Sequence, residues 1–151
     1  MGKILDSLES FFHEEDWTFL RVGGDSTLQV QFRGDNGEWA CYAQARDEQE
    51  RFLFYSLIPT KVPAEKRMVA AEFLTRANFG LLIGNFELDF SDGEVRYKTG
   101  FDVPSSDLTT NMVRSAVYVN VVTVDRYLPG LMSVIYGQAA PEQAIIEAEA
   151  K

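Results

Sequence analysis

The sequence has one cysteine, one histidine and no long apolar run, and these shortages exclude several classes of protein. Cys41 has no partner for an intrachain disulfide, which is typical of proteins from reducing compartments. No apolar run reaches the roughly 18 residues of a membrane-spanning helix. Asp6 and Glu9 also interrupt the apolar stretch that a signal peptide would need. We therefore expect a cytoplasmic protein without a membrane span.

Basic residues are also scarce. The chain carries 14 Lys and Arg against 23 Asp and Glu, a net charge of -9. A protein of this charge is repelled by phosphate backbones at long range. The nearest approach to a basic cluster is formed by Lys61, Lys66 and Arg67, and Glu65 lies among them. We therefore expect no nucleic-acid partner.

The residue types that could catalyse a reaction or bind a metal lack partners. His13 is followed by three acids, but a transition-metal site would need a second His or a Cys. Cys41 has no base near it in the sequence and lies among alanines, which is typical of a small buried hydrophobic residue. We predict no catalytic residue, no metal site and no cofactor, and therefore a protein that is not an enzyme.

The sequence does contain enough apolar residues for one core. Its 151 residues correspond to about one domain, and 46% of them are hydrophobic. A domain of that size can bury roughly 70% of its unfolded surface. The chain shows no internal repeat and no low-complexity linker. We predict a single α+β domain that spans residues 1–151.

Residues 69–101 form the clearest structural unit, a helix followed by a β-hairpin. The helix is indicated by apolar residues at three- and four-residue spacing: Val69, Ala70, Phe73, Leu74 and Ala77. Asn78 and Gly80 favour the left-handed geometry that ends a helix. In residues 82–90 and 95–101 the apolar residues alternate, which predicts two strands.

Asp92 and Gly93, between these strands, are typical of a two-residue hairpin turn. Such a turn would place Phe90 opposite Val95, and Leu88 would then face Tyr97. A slip of one residue would turn the whole apolar face towards water, so we expect this register to be favoured.

The first half of the chain is predicted to contain a helix at residues 4–12 and strands at residues 17–22, 26–33, 39–46 and 51–58. A turn at residues 35–38 would join the second and third strands. It would place two sets of apolar residues on one face of the sheet: Leu28, Val30 and Phe32, and Trp39, Cys41, Ala43 and Ala45.

The strand at residues 51–58 is apolar on both faces, so something should cover its second face. With helices on one side of the sheet only, four large side chains would form an apolar patch in water: Tyr42, Leu53, Tyr55 and Leu57. A patch of a few hundred square ångströms usually marks an interface. It indicates a homodimer and offers a site for another protein. Alternatively, the N-terminal or C-terminal helix covers this face and gives a closed monomer.

The long apolar segment after the hairpin fits both a helix and, at residues 117–123, a strand. We predict a helix over residues 111–127 because the run is too long for one strand. Residues 104–107 should cap it, and Pro129 should kink or end it. Residues 141–151 have the composition of a short solvated helix.

The predicted order of elements, α-β-β-β-β-α-β-β-α, includes several characteristic packing and turn residues: Phe73-Leu74 with Asn78, Phe86-x-Leu88-Asp89, and Asp92-Gly93-x-Val95. With this order and these residues, the chain resembles the YbjN family of bacterial sensory transduction regulators and its cyanobacterial and chloroplast relatives. The resemblance implies a type III secretion chaperone-like fold, with a mainly antiparallel sheet of about six strands and helices packed on it.

The resemblance also implies a non-catalytic domain that binds other proteins or itself. We expect a regulatory or chaperone-like interaction domain that acts through apolar surface and self-association. The alternative is a small-ligand-binding protein with a pocket between the sheet and the long helix. That alternative requires an apolar cavity with a few convergent polar groups.

Overall fold

The structure, a computed structural model, describes residues 2–24 and 26–150. Its sheet has six strands: β1 (Phe19–Val22), β2 (Thr27–Arg33), β3 (Glu38–Arg46), β4 (Arg51–Leu57), β5 (Asn85–Leu88) and β6 (Val95–Asp102). The strands lie in the order β1-β2-β3-β4-β6-β5, and each neighbouring pair is antiparallel. The predicted α+β fold with a mainly antiparallel six-strand sheet is confirmed.

The structure has four α-helices: α1 (Lys3–Glu14), α2 (Arg67–Gly80), α3 (Thr110–Ile135) and α4 (Pro141–Glu149). Short 3-10 turns lie at Ala64–Lys66 and Pro104–Ser106. α1 packs on β3 and α3, whereas α3 crosses β4 and β6. α2 packs on β5 and α3, and α4 packs on α2 and α3. In the described part of the chain, every helix is too short or too polar to span a bilayer.

Strand alternation separates a core face of the sheet, which the helices cover, from an open face. In β3, β4 and β6 every second residue is buried on the core face: Trp39, Cys41, Ala43, Ala45, Phe52, Phe54, Ser56, Val95, Tyr97 and Thr99. The residues on the other face of these strands are half-buried or exposed. The two apolar sets predicted for β2 and β3 share one face, as expected, and pair as Leu28 with Ala43, Val30 with Cys41, and Phe32 with Trp39.

The hairpin of β5 and β6 is confirmed, but the predicted register is wrong by two residues. Leu88 pairs with Val95 and Phe86 with Tyr97, so residues 89–94 form a six-residue loop instead of a two-residue turn. Because the shift is by two, the apolar residues of β5 and β6 keep their face of the sheet.

The acids of this loop hold it in its six-residue form. The carboxylate of Asp89 accepts a hydrogen bond from the backbone N–H of Ser91 at 2.8 Å, and the carboxylate of Asp92 accepts one from Glu94 at 2.9 Å. Gly93 has a φ of +83° and donates its N–H to the carbonyl of Asp89 at 2.7 Å. These side-chain contacts compete with the shorter turn because Asp readily bonds backbone groups two residues ahead.

The predicted left-handed end of α2 is wrong, since the chain leaves the helix through Leu81 in an extended conformation. Asn78 instead reaches the edge of the sheet. Its side-chain oxygen accepts the N–H of Phe86 at 2.7 Å, and its NH₂ donates to the carbonyl of Phe86 at 3.1 Å. The strand predicted from residue 82 therefore starts only at Asn85, beside this contact.

α3 includes all of residues 111–127 as helix, as predicted. Its N-terminal cap is Thr109, whose hydroxyl accepts the N–H of Met112 at 3.2 Å, so the predicted cap at residues 104–107 is wrong. Pro129 lies inside α3 and does not end it.

α4 is not wholly solvated, because it buries one face against α2 and α3. The buried side chains are Ala144, Ile145 and Ala148. Gly130 of α3 makes this close packing possible, since a side chain there would meet the ring of Phe73 and the carbonyl of Ala144.

The turn predicted at residues 35–38 would leave only residues 36 and 37 between the strands. In the structure, β2 and β3 are joined by a four-residue loop, residues 34–37. α3 stabilises this loop: the Asp125 carboxylate accepts the backbone N–H groups of Asp35 at 3.0 Å and Asn36 at 2.8 Å. The longer loop thus depends on a residue about 90 positions away in sequence.

Candidate interaction surface

The open face of the sheet brings together all four side chains that the sequence indicated. Tyr42 of β3 pairs with Tyr55 of β4, and Leu53 and Leu57 flank Tyr55 at two-residue spacing on the same face. All four are half-buried. The terminal helices do not cover them, because α1 packs on the core face and α4 packs on α2 and α3. The predicted alternative in which a terminal helix closes this face is therefore wrong.

Leu53 lies beside a position in β6 that has no side chain. Its cross-strand partner is Gly100, where a Cβ atom would lie 2.8 Å from the Leu53 Cδ2 atom and would also strike the backbone of Phe52. Gly100 therefore leaves the space that the Leu53 side chain occupies.

Charged residues of β5 and β6 border the apolar centre of the open face. The guanidinium carbon of Arg96 lies 4.5 Å from the centre of the Tyr55 ring, within cation–π range. The Glu87 carboxylate accepts hydrogen bonds from Arg96 Nε at 2.6 Å and from Lys98 Nζ at 2.7 Å. Burial raises the pKa of Glu87, but the bonds from Lys98 and Arg96 outweigh burial and lower the pKa below its ordinary value. Glu87 therefore stays ionised and orients both bases.

A shallow depression of about 250 Å³ lies on this face. Its lining combines aromatic, amide and charged groups: Tyr42, Gln44, Tyr55, Leu57, Glu94 and Arg96. Binding pockets for small molecules usually measure about 300 to 1,000 Å³ and enclose most of the ligand. The depression therefore fits one or two side chains of a protein partner better than a small molecule.

Side chains fill the layer between the sheet and α3, where the alternative hypothesis places a pocket. Asn120 of α3 is fully buried and donates its NH₂ to the carbonyls of Phe54 at 2.9 Å and Tyr97 at 3.1 Å. Thr99 donates its hydroxyl to the carbonyl of Ala116 at 2.9 Å. These bonds tie α3 directly to β4 and β6, while the side-chain oxygen of Asn120 is buried without a hydrogen-bond partner among the described residues.

The contacts of His13 and Cys41 are those of packing residues. The His13 ring packs edge-on against Phe19, with 5.3 Å between the ring centres. Cys41 is buried, as expected, and burial raises the pKa of its thiol to about 12, so it stays protonated. Across residues 2–24 and 26–150, no three His, Cys, Asp or Glu side chains converge as metal ligands would.

The sequence analysis missed a second apolar surface, on the outward side of α2 and the chain that follows it. Met68, Phe79 and Leu82 are 75%, 96% and 98% exposed. The core stripe of α2 was predicted correctly, apart from a half-buried Val69, but the remaining apolar residues were not considered. This surface could have been predicted from the helical spacing, because Met68 and Phe79 are large apolar residues that lie off the core stripe of α2.

A profile of the YbjN family, described as "Putative bacterial sensory transduction regulator", matches residues 5–132. This match includes all six strands and most of α1 and α3. The chain belongs to the YbjN family. The resemblance inferred from the sequence is thereby confirmed. No curated protein matches the sequence.

Several solved structures are similar to this chain in fold. The crystal structure of YbjN from E. coli has a TM-score of 0.62 to this chain at 15% identity, over 97% of this chain and 91% of that one. A chain of the ExsC–ExsE complex has a TM-score of 0.55 at 14% identity, over 84% of this chain and 94% of that one. A chain of the HopA1–SchA chaperone–effector complex follows at 0.48 and 15%, over 82% and 92%. The fold of this YbjN-family chain is type III secretion chaperone-like.

Proposed function

We propose that this YbjN-family domain is a non-catalytic interaction domain with a regulatory or chaperone-like role in the cytoplasm. Its open sheet face binds a partner protein. The observation that carries the proposal is the cluster of Tyr42, Leu53, Tyr55 and Leu57 on a face that none of the described helices packs against.

The chemistry of the open face suits a protein partner. Tyrosines at its centre offer large contact area and are enriched where interfaces concentrate their binding energy. The ion pairs of Glu87 with Arg96 and Lys98 give the border the polar character of an interface rim. Preformed pairs of this kind position charges for a partner without a further loss of side-chain freedom.

The comparisons support the same class of function. The family is named for regulation of signal transduction, and E. coli YbjN is described as a candidate transcription regulator. The ExsC–ExsE structure is a complex of two proteins. These names describe regulation and binding rather than catalysis.

We also propose that the domain forms a homodimer. One domain exposes ten large hydrophobic side chains within the described residues, among them Phe79 and Leu82 at nearly full exposure. A second copy of the chain would bury part of this apolar surface, and closed two-fold dimers are the commonest protein oligomers.

Affinity capture from the native host, followed by mass spectrometry, tests the role of the open face. The variant Leu53→Glu/Tyr55→Glu adds two charges at its centre, and Val122→Glu/Ile146→Glu adds two charges at exposed positions of α3 and α4 as a matched control. We expect the first variant to capture at least tenfold less of a partner protein than wild type, because buried unpaired carboxylates oppose binding. The control should capture as much as wild type. Equal capture by wild type and both variants would contradict the proposal.

A further inference from the structure

The outward side of α2 carries one stripe of exposed residues. Met68, Glu72, Thr75 and Phe79 are all exposed and follow one another at spacings of four, three and four residues. This spacing places them on a single line along the helix, as in a coiled-coil seam. The stripe is opposite to the buried stripe of α2, so packing within the domain does not use it.

Both ends of this α2 stripe are apolar. Beyond the C-terminal end lie Leu82 and Ile83, which are 98% and 54% exposed. At the N-terminal end lies Phe90, 53% exposed, whose carbonyl accepts a hydrogen bond from Arg67 Nη1 at 2.9 Å. Five of the ten exposed large hydrophobic residues of the described chain therefore lie along α2 and its two ends.

The middle of the α2 stripe carries one charge of each sign. Glu72 of the stripe and Arg76 beside it form an ion pair of 2.8 Å across one helical turn, with both side chains about half exposed. Arg76 also lies 3.8 Å from the carboxylate of Glu142 in α4. Along the helix the order is thus apolar, acidic, basic, apolar. If a second copy of the helix runs in the opposite direction, the apolar ends of the two helices face each other. The acidic residue of each copy then faces the basic residue of the other.

We infer that the α2 stripe pairs with the α2 stripe of a second copy, antiparallel and about a two-fold axis that meets the exposed side of the helix between Glu72 and Arg76. In this arrangement Met68 of one copy meets Phe79 of the other, and Glu72 meets Arg76, twice by symmetry. The small side chain of Thr75 at the centre allows the helices to approach closely. The inference rests on the homodimer of the proposed function and assigns it a surface.

The charge pattern selects a second copy over other occupants. A bilayer would have to accept Glu72 and Arg76 at the centre of the contact, where charges are costly. A single-signed partner surface would match only one of the two charges. The open sheet face is a weaker candidate for the contact with a second copy. Its residues Tyr42, Leu53, Tyr55 and Leu57 are already half-buried within one domain, so a partner would remove less apolar surface from water there than at Phe79, which is 96% exposed. The dimer therefore leaves the open face free for another protein.

The size of the stripe sets the expected strength of the dimer. Met68, Phe79 and Leu82 together present roughly 500 Å² of apolar side chain, given the usual area of large side chains. This area lies within the range of surface patches that mark interfaces. It is smaller than the surface of about 800 Å² that each partner buries in a standard complex. We therefore expect dissociation in the micromolar range.

Two opposite charge reversals test the inference. Glu72→Arg makes the centre of the stripe wholly basic, and Arg76→Glu makes it wholly acidic, so each variant should repel its own kind. Mixed together, the two variants should attract each other at both contacts. By light scattering at tens of micromolar, we expect a dimer for wild type, an at least tenfold weaker dimer for each variant alone, and a restored dimer for the equimolar mixture. Melting temperatures of the separate variants verify that each is folded.

Other results overturn the inference in distinguishable ways. If wild type is a monomer at this concentration, the proposed homodimer is contradicted. The proposal that the open sheet face binds a partner protein is not affected by that result, because the capture experiment tests it separately. Dimers of each variant alone, or no dimer in the mixture, would move the contact away from α2. Loss of the dimer in Leu53→Glu/Tyr55→Glu, with α2 intact, would place the second copy on the open face instead. Phe79→Asp should act like the single reversals.

Discussion

Asn78 protects the outer edge of the sheet with one side chain. Its amide both accepts from and donates to the backbone of Phe86 in the edge strand β5, as a neighbouring strand would. Exposed strand edges invite pairing with other chains, and proteins commonly block them. At the residue scale, the amide chemistry of Asn at this position matters more than its tolerance of left-handed geometry, which the sequence analysis emphasised.

Replacement of Asn78 by Ala should destabilise the domain. It removes two hydrogen bonds to a half-covered strand edge, and each is worth about 1 kcal/mol when its partner is left unsatisfied. We expect the free energy of unfolding in urea to fall by about 1 to 2 kcal/mol. Asn85→Ala, on the same strand, is the control, because the Asn85 amide makes only a weak 3.4 Å contact and should cost less than half as much. Equal losses in the two variants would contradict this role.

At the scale of elements, alternation and turn residues were enough to predict that β5 and β6 pair, but not how. The Asp92-Gly93 signal is correct in position and wrong in turn length, because the carboxylates of Asp89 and Asp92 close a longer loop. Likewise the four-residue loop before β3 is held by Asp125 of α3. Such contacts are long-range or depend on a competition between local hydrogen bonds, and neither is visible in hydrophobic periodicity.

Gly93 fixes this loop against the segment before α2, and its replacement tests that packing. Its φ of +83° disfavours any side chain, and a Cβ atom would also strike the backbone of Val62, whose N–H donates to the Gly93 carbonyl at 2.8 Å. We expect Gly93→Ala to lower the free energy of unfolding by about 2 to 3 kcal/mol, from backbone strain and a lost hydrogen bond together.

Gly24 provides the matched control. It has a similar φ of +72°, but a Cβ atom there would meet nothing within 4 Å. Gly24→Ala should therefore cost only the strain of about 1 kcal/mol. A similar loss for Gly24→Ala and Gly93→Ala in denaturant titrations would show that contact with Val62 is unimportant.

At the scale of the whole molecule, the arrangement of helices decides which face of the sheet is left for the proposed partner. Within residues 2–24 and 26–150, the four helices pack against one another or against the core face and leave the second face of β3 and β4 open. The sequence predicted the four side chains of that face, because a strand apolar on both sides is unusual. It could not decide whether a terminal helix covers them, since that depends on the path of the chain after α3. It also missed the exposed stripe of α2, whose residues are scattered among core positions in sequence.

The most direct test of the account places a photo-crosslinking amino acid at Tyr55, at the centre of the open face, in the native host. Val122 of α3, which is 61% exposed, is the control position. We predict crosslinks from position 55 to a different protein, identified by mass spectrometry, and none to that protein from position 122. Position 55 without any crosslinked protein, or with the same products as position 122, would contradict the assignment of the open sheet face as the partner-binding surface.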